Sequence, residues 1–118
     1  MAPKRKPSVP SDWILQLDAQ ELEEARDEAT VDCYGDDEFL SGLLTMAQQE
    51  LVVPFEARVI GQRVSVVDTE WTDGTELALV VEFNEQRHRV AAHSVELHPP
   101  FPDGAVWLAA YLDFHRKR

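Results

Sequence analysis

Apolar positions recur along this chain at two different periods, and the change of period divides it. From Trp13 the pattern is helical, with Trp13, Ile14 and Leu17 forming one apolar patch. Asp18 followed by Glu21 has the spacing of a capping box, which predicts a helix from there through Glu28. Its apolar stripe is narrow: Leu22, Ala25 and Ala29. Val31 to Tyr34 reads equally as a helical continuation or an extended connector, and Gly35 breaks the pattern. A second helix follows, capped by Asp36 or Asp37, with Leu40, Leu43, Leu44, Ala47 and Leu51 at helical spacing. Gly42 is a weak spot inside it, and Pro54 ends the helical region by pushing its predecessor toward extended backbone.

After Phe55 the period becomes two. Ala57, Val59, Val64 and Val66 alternate with Arg58, Arg63 and Ser65, and Gly61 marks a turn or bulge. Asp73-Gly74 is a hairpin signal between a strand ending near Trp71 and one over Leu77 to Phe83. Asn84-Glu85-Gln86 turns the chain again into a strand over Arg87 to Leu97. Pro99, Pro100 and Pro102 form a stiff link to a last helix, whose Val106, Trp107, Ala110, Tyr111 and Phe114 can cover the sheet. The expected fold class is α+β: N-terminal helices, then a small curled antiparallel sheet resembling a partly open barrel, then a C-terminal covering helix.

Length and composition fit one domain. A chain of 118 residues with 44% apolar content can bury a core without disulfides. Residues 1–11, with three prolines and a basic triplet, are expected to be a disordered basic tail, and residues 12–118 a single acidic domain. The tail lacks the apolar stretch of a secretory signal, and no run approaches the length that spans a bilayer. The single cysteine, Cys33, forms no internal disulfide, so a reducing cytoplasm is the expected compartment.

The net charge of −11 is unevenly laid out. Six of the eleven basic residues lie at the two ends, which leaves residues 7–115 with five basic against twenty-two acidic groups, a net −17. Between Asp12 and Glu50 there are twelve carboxylates and one arginine, Arg26. Such a field repels nucleic acid and anionic membrane, and attracts cations or a basic protein. Its plainest role is a solvated face of the kind that keeps a bacterial-type cytosolic protein in solution.

Catalytic signatures are missing from the pattern. The four histidines are scattered, no Gly-x-Ser-x-Gly elbow is present, and the five glycines form no phosphate loop. The chain therefore reads as a non-enzyme. The remaining constellation is the carboxylates. Glu21, Glu24 and Glu28 share a helix face, Asp32 continues the row if the helix persists, and Asp36, Asp37 and Glu38 follow Gly35. A hard cation that takes six to eight oxygens, Ca²⁺, suits such a set better than Mg²⁺ or Zn²⁺. An EF-hand starting at Asp32 fails, with Asp37 where Gly belongs and Leu43 where Glu belongs. Taken alone, the acids at 36–38 read as cap and dipole partners of the second helix. Glu70, Asp73 and Glu76 around the hairpin form a looser second candidate.

The run Val31-Asp-Cys-Tyr-Gly-Asp-Asp-Glu-Phe39, then Ser41-Gly-Leu-Leu-Thr-Met46 and Leu51-Val-Val-Pro-Phe-Glu-Ala57, resembles the calcium-binding protein family typified by the cyanobacterial calcium-binding protein CcbP. Val64-Ser-Val-Val67 and Trp107-Leu-Ala-Ala-Tyr111 fit it in order, so the resemblance covers roughly residues 27–114. It implies a small acidic protein that buffers or senses Ca²⁺, with Asp32, Asp36, Asp37 and Glu38 as ligands and Tyr34 as a structural residue or carbonyl donor; apart from the resemblance, the acidic row of the preceding helix offers Glu24 or Glu28 as one more ligand. Gly35, where another acid is expected, and Phe114, in place of a Trp, depart from the pattern. The alternative is an acidic interaction module that docks a basic partner or mimics nucleic acid, with Trp71, Phe101 or Trp13 as its exposed aromatics.

Overall fold

The computed structural model describes residues 10–31, 33–71 and 76–117. The tail expected over residues 1–11 therefore lies outside the description except at its end, where Pro10–Gln16 already forms a 3₁₀ segment. This segment buries Trp13 and Ile14 in the common core.

Helix α1 spans Ala19–Ala29 and helix α2 spans Asp36–Glu50. The expected start of α1 is the observed one: the Asp18 carboxylate accepts the backbone N–H groups of Gln20 and Glu21 at 2.8 and 3.2 Å. The expected cap of α2 is corrected. Gly35 occupies the cap position without a side-chain bond, and Asp36 and Asp37 fall inside the first turn. Leu40, Leu43, Leu44 and Ala47 make the buried stripe of α2. Gly42 is a close-packing position, not a weakness. A methyl group there would sit 2.5 Å from the carbonyl oxygen of Ala29, so the glycine lets α2 cross the end of α1.

The sheet contains β1 (Phe55–Val59), β2 (Gln62–Trp71), β3 (Leu77–Phe83), β4 (Gln86–Ala91) and β5 (Val95–Glu96) in the order β4-β3-β2-β1-β5, all pairs antiparallel. Asp73-Gly74 lies outside the described residues, but its flanking strands pair in register from Trp71 and Leu77 onward. The single strand expected over Arg87 to Leu97 is instead two, split by a 3₁₀ turn at Ala92–Ser94.

That split dictates the curvature. β4 and β5 lie on opposite edges of the sheet, yet only the turn separates them in sequence. Five strands laid flat at about 4.8 Å spacing would hold their edges about 19 Å apart. The connection from Ala91 to Val95 reaches at most about 14 Å. The sheet therefore curls until its edges approach, helped by a register shift between Val66 and Asp68 in β2. It remains open, as the edge strands do not pair.

Helix α3 spans Ala105–Lys117 and closes the core. Its buried face is centred on Leu108, Ala109, Tyr111 and Leu112, with Val106, Trp107 and Phe114 packed at the margin. These residues join Leu43, Leu44, Val66, Leu79 and Val95 in one hydrophobic cluster between helices and sheet. Among the described residues no helix is long and apolar enough to cross a membrane.

Candidate functional site

Alternation along the strands sends two sets of side chains to opposite faces. Ala57, Val64, Val66, Leu79 and Val81 face the core. Arg58, Arg63, Arg87 and Arg89, four of the five arginines between residues 7 and 115, face away from it. There they meet carboxylates from the same strands: Arg63 with Glu56 at 2.7 Å, Arg87 with Glu82 at 3.4 Å, and Arg89 with Glu70. Arg58 lies opposite Glu96 in the β1–β5 register. The outer sheet face is thus internally compensated. The acidic excess lies on the helices, where α1 and α2 hold nine carboxylates (Glu21, Glu23, Glu24, Asp27, Glu28, Asp36, Asp37, Glu38, Glu50) and one arginine, Arg26.

Local geometry presents this charge to solvent. Glu21, Glu23, Glu24, Asp27 and Glu28 are all exposed along α1, and Asp36, Asp37 and Glu38 crowd the first turn of α2. The positive end of the α2 dipole stabilises those three acids. Glu38 is also tied back: its Oε2 accepts the backbone N–H of Tyr34 at 2.8 Å. This holds the chain ahead of Gly35 against the helix and leaves the Tyr34 ring 83% exposed. Val31, at the other end of the connector, is 68% exposed.

Of the residues singled out as Ca²⁺ ligands, Asp32 lies outside the described residues. Glu28 and Glu38 line one shallow concavity with Cys33, Ser41, Thr45 and Met46. Asp36 and Asp37 do not line it. Among the described residues, no three His, Cys, Asp or Glu side chains are gathered so as to hold a metal ion. In the looser set near the hairpin, Glu70 pairs with Arg89, Glu76 bonds His115 at 3.0 Å, and Asp73 lies outside the description.

The aromatic expectations need correction. Trp13 is 3% exposed and packs tilted against Phe101, ring centroids 5.7 Å apart, so neither is a surface anchor; Trp71 is half exposed. The most exposed aromatic is Tyr34; its place in a connector beside Gly35, with acids at 32 and 36–38, was the available signal. Two of the scattered histidines also meet. His115 in the last turn of α3 stacks on His93 at 6.3 Å, with Tyr111 at 5.7 Å. The sequence separates His93 from His115 by a strand and a proline link, so no spacing rule reports the contact.

No protein-family model matches this chain, and neither a curated protein nor a solved structure matches it.

Proposed function

We propose that this chain is a binding module and not an enzyme, and that the face formed by α1, the connector and the first turn of α2 docks a basic protein segment. One observation carries this reading: the carboxylates of α1 and of the first turn of α2 are exposed, no three of the described ones gather so as to hold a metal ion, and Val31 and Tyr34, between the two helices in the chain, are exposed as well. A docking face needs area and apolar anchors, and tyrosine is among the residues that most often dominate binding energy. Complementary charge contributes steering and register. The test is titration with an arginine-rich peptide at low and physiological salt, comparing the wild type with Tyr34→Ala and with Asp36→Asn/Asp37→Asn/Glu38→Gln. Saturable binding weakened by both changes supports the face. Binding indifferent to both, or equal to that of a Glu56→Gln/Glu82→Gln control on the outer sheet face, overturns it.

A second reading is Ca²⁺ binding by Glu28, Asp32, Asp36, Asp37 and Glu38. It is favoured by the concavity that Glu28 and Glu38 share, since Asp32 lies between them in the chain, and it is the activity that the family resemblance implies. Calorimetric titration with Ca²⁺ in the presence of competing Mg²⁺ tests it. Saturable heat that survives Mg²⁺ and is lost in the triple variant supports it. Heat that salt and Mg²⁺ erase equally means diffuse attraction to the face. A cytoplasmic setting suits either reading, since Cys33 is a half-buried free thiol.

A further inference from the structure

We draw no further inference here: the strongest candidate, the side-chain cluster at the end of α3 in which His115 stacks on His93 and bonds Glu76, carries nothing because these groups do not gather so as to hold a metal ion and nothing in the structure shows what they would bind.

Discussion

The phenolic oxygen of Tyr111 accepts the backbone N–H of Leu77 at 3.1 Å inside the core, joining the middle of α3 to the first residue of β3. Both residues are almost fully buried, so water does not replace the bond. Tyr111→Phe keeps the ring and removes the acceptor. Leaving a buried donor unmet costs about 1–3 kcal/mol. Chemical denaturation of this variant is expected to show a lower midpoint at unchanged slope.

The same residue sets an alkaline limit. Burial pushes the Tyr111 hydroxyl from 10.0 up to about 12, the Leu77 N–H opposes this by favouring the phenolate, and the Glu76 charge adds to it. The folded state thus holds the proton more tightly than the unfolded chain. Stability from this group is complete below pH 10.0 and is lost as pH rises toward about 12. Two units correspond to about 3 kcal/mol as an upper figure. Unfolding measured from pH 9 to about 12 is expected to show a decline that Tyr111→Phe largely removes.

Two glycines with positive φ make a paired test. Gly104 has φ +84 and would place a methyl 2.0 Å from the Glu50 carbonyl oxygen, while Gly35 has φ +111 with open space around it. Near Gly104 the chain is fixed further by the Val52 N–H bonded to the Asp103 carbonyl at 2.9 Å. Gly35 lies at φ 111, ψ 160, a region essentially reserved for glycine, so Gly35→Ala is expected to cost backbone strain alone, about 1–3 kcal/mol. Gly104→Ala adds a backbone collision and is expected to cost clearly more, up to loss of the folded state. Equal thermal midpoints for the two variants would refute this account of how α3 meets the end of α2.

Ile60 is the converse case. It occupies the β1–β2 turn at φ 50 and is 98% exposed, so its branched side chain has strain and no burial to offset it. A two-residue turn with both residues at positive φ favours Asn-Gly, and Gly61 already follows. Ile60→Asn is expected to raise stability by about 0.5–1 kcal/mol, read as a higher thermal midpoint.

Much of this architecture was legible because it is periodic. The stripe of Leu40, Leu43, Leu44 and Ala47 marks α2, and the alternation around Ala57 and Val64 marks β1 and β2. β5 was not legible, since two residues, Val95 and Glu96, show no period; only their pairing with Val59 and Arg58 defines them. Gly42 read as a defect because the Ala29 carbonyl it must clear belongs to another helix. At the candidate site the charge was plain from composition, but convergence was not. Whether Glu28 and Glu38 share a concavity depends on how α2 crosses α1, and whether the arginines of the sheet reach the acids of the helices depends on which face they point from.

The acidic face itself allows binding and folding to be separated. Acids in the first turn of α2 gain about 0.3–1 kcal/mol each from the helix dipole. Glu38 also holds the Tyr34 N–H. Neutralising Asp36, Asp37 and Glu38 together is therefore expected to cost about 1–3 kcal/mol, leaving a folded protein if total stability is near the common 5–15 kcal/mol, as roughly expected for one domain. In the body of α1, Glu23 and Asp27 stand one turn apart, as do Glu24 and Glu28, so they repel. Glu23→Gln/Glu24→Gln/Asp27→Asn is expected to leave stability unchanged or raise it by a few tenths of a kcal/mol. A docking face spanning both helices predicts that each triple change weakens an arginine-rich peptide and that the combined variant weakens it further. A Ca²⁺ site at the α2 end predicts that only the first change abolishes Ca²⁺ heat. Titrating both variants with both probes separates an extended electrostatic surface from a localised ion site, because the α1 triple alters the field over the whole face while leaving every proposed ligand in place.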